Sequence, residues 1–320
     1  MTVPMDWRQR IGYSRDWVWR GWQIRYTFMP SSRELEQMNP PVILLHGFGA
    51  AIEHWRSNIP ILGKQHRVYA LDLLGFGASR KVYTTYNINL WVEQVYDFWR
   101  NFLQKPVILV GNSIGSLVCL LAAARYPEMV KGIAMLSLPD VSLRQEALPG
   151  WLSPIVTNIE NLFASPVLLK PLFRFLRRPN ILRKWANIAY EDKKAVTDEL
   201  LNILANPAQD EGAERAFCAL FETARNPNFS PSVRQLLPNI SIPMLLCWGR
   251  QDRMVPFALA SIFCDLNPKI EMVDFDGAGH CLHDECPDRF NAILLAWIEK
   301  HFHPIGSKNF IEKAETALDV

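Results

Sequence analysis

The chain has 320 residues, 49% of them hydrophobic and 21% charged, with 34 basic against 32 acidic residues. This supplies a sizeable core and carries too little charge for a disordered chain. A formal net charge of +2 excludes a global electrostatic pull toward nucleic acid, so any electropositive role must be local.

Residues 17–28, WVWRGWQIRYTF, alternate aromatic, β-branched and polar residues in the manner of a hairpin arm. The polar stretch SSRELEQMNPP then breaks the pattern. Six short apolar runs follow, at Val42–Leu45, Arg67–Leu71, Val107–Val110, Gly132–Leu138, Met244–Trp248 and Ile270–Phe275. Each ends in a polar or Gly-rich cluster, and continuous apolar runs are the mark of parallel strands buried on both faces. Helical stretches at Leu90–Leu103, Gly115–Tyr126 and Asp288–Phe302 lie between or after them. This alternation predicts a doubly wound, mostly parallel α/β sheet, whose ligands bind beyond the carboxyl ends of the strands.

One interval carries no strand pattern. Helix-like apolar patches at Trp151–Phe163, Val167–Leu176, Ile181–Ala189, Ala195–Leu204 and Ala213–Ala224 predict a helical insertion between two strands. The expected division is a first core part over 1–138, a helical lid over 139–237, and a second core part with a C-terminal tail over 238–320. Between Asn161 and Tyr190 the lid carries six basic residues and no acid, interleaved with leucines and aromatics. Such a segment can cover a site with its apolar face or rest on an anionic membrane.

The six cysteines show no C-x-x-C pair and no histidine at finger spacing, so buried, reduced thiols are expected in place of a zinc site or a disulfide scaffold. The N-terminus lacks the apolar core of a secretory signal, and no apolar run reaches the roughly 18 residues of a spanning helix. A cytoplasmic setting follows, with peripheral contact to a membrane as the variant. Eleven tryptophans point to apolar pockets or an apolar ligand as much as to core.

The chemistry concentrates at Gly111-Asn112-Ser113-Ile114-Gly115. Placed between a buried strand and a helix, G-x-S-x-G forms a sharp turn that exposes the serine hydroxyl and aims a helix N-terminus at developing negative charge. A serine hydroxyl needs a base, and the base needs an orienting acid. His280, at the end of DFDGAGH, is the expected base. Asp252, in GRQDRMVP, is the expected acid, with Asp140 as its rival. His283 lacks the Gly-flanked strand-end position, and His46 in HGFG takes a structural reading. The oxyanion of a tetrahedral intermediate needs two backbone donors, expected from Phe48 and Ile114. No metal or organic cofactor is required by this chemistry.

HGFG, DLLGFGAS, GNSIGS, GRQDRMVP and GAGH, in this order, resemble the α/β-hydrolase superfamily over residues 17–302. The flanking stretches WRGWQIRY, HWRSNIPILGKQHRVYALDLLGFGAS, GNSIGSLVCLLAAARYPE and AGHCLHDECPD are similar to the group containing chlorophyll dephytylase and pheophytinase. The resemblance implies hydrolysis of the phytyl ester of a chlorophyll-type pigment, and a thylakoid membrane as the surface contacted. Two positions depart from it: Asn112 where many members carry His, and Ser116 where Gly is common. Asn112, Trp151, Trp185 and Trp248 are the candidate pocket walls. The alternatives are a general carboxylesterase, a C–C bond hydrolase with the same triad, and a ligand-binding protein that has kept the fold without turnover. The expected partner is a hydrophobic small-molecule ester, with no nucleic acid.

Overall fold

Val42–Leu45 shows why the strands read as unbroken apolar runs. In the computed structural model, which describes residues 10–32, 39–140, 166–224 and 226–302, Ile43 and Leu45 enter one hydrophobic cluster while Val42 and Leu44 enter another. Val107 and Leu109 divide from Ile108 and Val110 in the same way. These two strands therefore stand between two cores, and neither face is left to be polar. Each fully buried Val, Leu or Ile contributes roughly 1.5–3 kcal/mol.

The sheet has eight strands in the order β1-β2-β4-β3-β5-β6-β7-β8. They are β1 (Tyr13–Trp19), β2 (Trp22–Met29), β3 (Val42–Leu45), β4 (Val68–Leu71), β5 (Val107–Asn112), β6 (Val130–Leu136), β7 (Met244–Gly249) and β8 (Ile270–Phe275). The first two form an antiparallel hairpin that joins β4 antiparallel, and the remaining pairings are all parallel. The hairpin starts four residues earlier than its aromatic pattern suggested, because the exposed Tyr13–Asp16 end of β1 carries no apolar signal. The chain moves one way from β3 to β4 and returns past β3 to β5, so the order reverses at β3. The crevice outside the carboxyl ends of β3 and β5 is thus the expected place for a ligand.

The helices α1 (Ile88–Phe102) and α2 (Ile114–Arg125) pack on each other, and α2 packs on β5 and β6. Between β6 and β7 come α3 (Pro166–Leu176), α4 (Pro179–Ala189), α5 (Asp198–Ala205) and α6 (Ala213–Ala224), with no strand among the described residues. Two more long helices, α7 (Ala258–Leu266) and α8 (Pro287–Phe302), follow in the second half, with single turns at Val233–Leu236 and Leu282–Glu285. The predicted helix over Trp151–Phe163 and the C-terminal tail lie outside the described residues. Helix α3 packs against α6 and α4 against α5. A small third cluster of Ala186, Tyr190, Val196, Leu200 and Leu201 also takes in Cys281, so the insertion shares a core with the loop after β8.

Candidate active site

Ser113 sits at the junction of β5 and α2 with φ 55° and ψ −117°. A non-glycine residue in such a sparsely populated region costs on the order of 1–3 kcal/mol and is held there by its surroundings. The holding groups are identifiable. The Ser113 N–H donates to Leu136 O at 2.9 Å, and the single Ser116 hydroxyl proton is shared between Gly111 O at 2.6 Å and Leu136 O at 2.9 Å. The flanking glycines are sterically required. A Cβ on Gly111 would collide with the carbonyl of Gly115, and one on Gly115 would collide with that of Leu45. Ser116, a departure from the family pattern, is thus a brace of the turn.

The end of β8 delivers His280. Its Nδ1 lies 2.8 Å from Asp252 Oδ2, so the imidazole proton on that nitrogen points at the carboxylate that the loop after β7 supplies. The other Asp252 oxygen accepts the N–H groups of Met254 and Val255 at 2.8 and 2.9 Å. Burial works against the charge on Asp252, but the hydrogen bond and positive charge of His280, the Val255 amide and the Ser137 hydroxyl outweigh it. The carboxyl is held below its ordinary value. The histidine therefore faces Asp252 rather than the rival Asp140.

Asn112 ties the serine turn to the histidine, its Nδ2 donating to His280 O at 3.1 Å. It holds the backbone of His280, and it is 1% exposed, so its side chain is a structural link and not the pocket wall expected from sequence. The turn after β3 closes the third side. A Cβ placed on Gly47 would stand 3.3 Å from Ser113 Cβ, which leaves the Phe48 amide beside the nucleophile turn. The N–H groups of Phe48 and Ile114 have no acceptor among the described residues. His46, buried below this turn, accepts the Leu73 N–H at Nε2 (3.1 Å) and directs Nδ1 to Gly47 O (2.8 Å). It shapes the turn, as its sequence position suggested.

The tryptophans divide differently from expectation. Trp248 is fully buried beside Phe263, and its indole N–H donates to Val255 O at 3.2 Å. It is core, because residue parity along β7 sends it, with Met244 and Leu246, into the cluster on one face of the sheet. Trp185 is 49% exposed on α4, since its neighbour Ala186 occupies the face of that helix that packs inward. Trp151 lies outside the described residues. An apolar cavity of about 90 Å³ opens instead beside Phe48 and Phe76, walled by Phe173, Leu204, Phe217 and Leu220 of the insertion, with none of Ser113, Asp252 and His280 in its lining. Phe76 lies in the DLLGFGAS stretch, but the insertion residues sit in no motif, and only the folded arrangement shows them all as lining.

A polar network anchors the histidine loop to the insertion. The His280 N–H donates to Ala189 O at 2.7 Å. The next residue, Tyr190, donates its hydroxyl to Asp284 Oδ2 at 2.7 Å and accepts from His54 Nε2 at 2.7 Å. Arg56 completes it, 2.7 Å from Asp284 Oδ1 and 2.7 Å from Glu199 Oε1. His283, the discarded rival base, is fully buried with its ring 4.1 Å from that of Trp55. Among the described residues no group of three or more His, Cys, Asp or Glu is placed to hold a metal ion. The cysteines are free thiols, four of them buried.

Burial pushes His46 and His54 down to about 4 and holds His283 well below its ordinary value. Their unfolded value, near 6.5, is higher, so between the two the unfolded chain binds more protons. Stability is then fully present above about pH 6.5 and falls as the pH drops toward 4, by about 1.4 kcal/mol per pH unit for each such histidine. Urea unfolding at pH 7 and pH 5 should show a clearly lower midpoint at pH 5. An unchanged midpoint would mean that these rings are not buried in neutral form.

A strained serine between strand and helix, an Asp–His pair on the loops after the last two strands, and two amides without an acceptor among the described residues, one in the glycine turn and one after the serine, define the α/β-hydrolase class of site. The sequence profile for the alpha/beta hydrolase fold matches residues 40–287, and the chain belongs to that family. It is similar to the chloroplastic pheophytinase of Arabidopsis thaliana, 24% identical over 83% of this chain, which spans 62% of the pheophytinase's length. It is also similar to the 2-hydroxymuconate semialdehyde hydrolase of a Pseudomonas species (strain CF600), 26% identical over 79% of this chain and 85% of that one. Among solved structures, a bacterial membrane phospholipase A superposes with a TM-score of 0.73 at 25% identity, covering 92% of this chain and 88% of the other.

Proposed function

We propose that the chain is a serine hydrolase that cleaves the carboxylic ester of a bulky apolar substrate, and that this substrate is the phytyl ester of a chlorophyll-type pigment. The observation that carries the first part is the 2.8 Å pair of His280 Nδ1 and Asp252 Oδ2 beside the strained Ser113. His280 takes the hydroxyl proton as Ser113 Oγ attacks the ester carbonyl. The oxyanion forms against the amides of Phe48 and Ile114. Collapse of the intermediate breaks the C–O bond, and His280 returns the proton to the leaving alcohol. Water then attacks the acyl-enzyme with His280 as base again, releasing the acid and regenerating the serine. Asp252 holds the productive tautomer throughout and stabilises the imidazolium.

The helices between β6 and β7 act as the lid in this reading, and the apolar cavity beside Phe48 takes only part of the apolar chain of the ester. The phytyl assignment rests on the flanking sequence and on the likeness to the Arabidopsis pheophytinase. A second reading, C–C bond hydrolysis with the same three residues, is favoured by the likeness to the 2-hydroxymuconate semialdehyde hydrolase.

Parallel incubation with pheophytin a, chlorophyll a, a short-chain p-nitrophenyl ester and a dienoic C–C hydrolase substrate separates the readings. Phytol release from a pigment should exceed background by at least about 10³-fold in kcat/KM terms, a conservative fraction of enzymatic rate enhancements. Turnover of the short ester or the dienoate without phytol release would overturn the pigment assignment and leave the serine chemistry standing.

A further inference from the structure

Helix α3 is apolar on two sides. Its inner face buries Leu169 and Phe173, and Phe173 lines the cavity beside Phe48. Burial of that face is sufficient reason for the helix to pack on the core. The outer face is not explained in this way. Leu168 and Phe175, seven residues apart and therefore on one side of the helix, are 41% and 45% exposed. The neighbouring α4, which touches α3, exposes Trp185 at 49% and Ile188 at 39%, about one turn apart. The two helices thus hold four of the eleven large hydrophobic side chains that stand exposed among the described residues.

The charges around these side chains have one sign. Lys170, Arg174, Arg177, Arg178, Arg183 and Lys184 lie on or between the two helices, and no Asp or Glu occurs from 161 to 190. Arg174 is neutralised by Glu214, and Arg183 by Asp198. Lys170, Arg178 and Lys184 have no ion-pair partner among the described residues. Arg178 also places its guanidinium 5.5 Å from the centre of the Phe175 ring. Exposed aromatic and aliphatic side chains on the same two helices as cations that are unpaired among the described residues match the headgroup region of an anionic bilayer, where an indole sits well at the interface and Lys or Arg meets lipid phosphate.

We propose that the outer face of α3 and α4 docks on an anionic lipid bilayer, with Leu168, Phe175, Trp185 and Ile188 entering the interface and Lys170, Arg178 and Lys184 meeting the headgroups. Such docking sets the cavity wall, Phe173, one helix thickness from the lipid. Among the described residues no helix is long and apolar enough to cross a membrane, so the contact is peripheral. The surface does not depend on the identity of the ester, and its test needs no turnover.

The experiment is co-sedimentation of the full chain with sucrose-loaded vesicles of phosphatidylcholine alone and of phosphatidylcholine with phosphatidylglycerol at 3:1. Three proteins are compared: wild type, Phe175→Ser/Trp185→Ser, and Lys170→Glu/Lys184→Glu, with circular dichroism and Tm as checks on folding. Hydrolysis of a small soluble ester is recorded alongside. Wild type should bind the anionic vesicles at least about tenfold more than the neutral ones, and each folded variant should lose at least about tenfold, in line with apolar burial and headgroup attraction acting together. Wild type that binds neither vesicle, or variants that bind as wild type does, would overturn the proposal. So would a self-association of wild type, seen by sedimentation velocity, that the Phe175→Ser/Trp185→Ser change abolishes, because the face would then belong to a second copy. Loss of vesicle binding with retained soluble-ester hydrolysis leaves the serine chemistry untouched. Absence of hydrolysis with intact vesicle binding refutes that chemistry alone.

Discussion

Replacing Ser113 by Ala should lower ester turnover by at least about 10³-fold, with losses near 10⁶ where the triad works as a unit. The substitution removes one oxygen and changes little else. The turn is held by the Ser113 N–H on Leu136 O and by Ser116 Oγ, neither of which involves the Ser113 hydroxyl. Its φ of 55° strains Ala as it strains Ser. The urea midpoint of the variant should therefore stay close to that of wild type while kcat collapses. A variant that keeps more than about a tenth of wild-type kcat/KM would mean that another group attacks the substrate, since a lost nucleophile leaves only background catalysis.

Asp252→Asn should cost on the order of 10⁴-fold in kcat, the scale known for serine proteases when the acid is replaced by its amide. An amide accepts the two loop N–H groups at Met254 and Val255 through its carbonyl and then presents NH₂ to His280. The imidazole must turn its lone pair toward Asp252, which puts the proton on the nitrogen that should act as base. The loss should shrink as pH rises and hydroxide competes, and KM should change little. Asp140→Asn should leave kcat within about threefold of wild type, because the hydrogen bond from His280 Nδ1 goes to Asp252. The reverse pattern, with Asp140 essential and Asp252 dispensable, would reassign the acid.

Much of this site is legible in the chain because the turn chemistry is local. Ser113 needs glycines two residues away on each side, and those glycines are visible as letters before their collisions with Gly115 O and Leu45 O are visible as geometry. The strands are legible because burial on both faces leaves a continuous apolar run. β6 shows the limit of that signal. Its apolar pattern extends to Leu138, but the strand ends at Leu136, since Ser137 turns to φ 49°. At its other end the exposed Lys131 hides the first two residues.

What the letters do not carry is direction. Trp185 and Trp248 read alike as large apolar side chains near a site, yet one faces solvent and the other fills the core. Their fate is decided by helix rotation and strand parity. The anchor of the histidine loop is less legible still. His54, Arg56, Tyr190, Glu199 and Asp284 are spread over more than two hundred residues and obey no spacing rule. Only the docking of α4 under the β8 loop brings them within hydrogen-bond reach. The cavity wall from Phe173 to Leu220 is likewise a product of helix packing.

The central claim, that Ser113 forms a covalent acyl-enzyme, is tested most directly by mass spectrometry of the protein after reaction with a fluorophosphonate. One adduct per chain should appear, on the peptide that carries Ser113, and the Asp252→Asn variant should acquire it far more slowly. An adduct on any other residue, or active protein that remains unlabelled and undiminished in activity, would contradict the account.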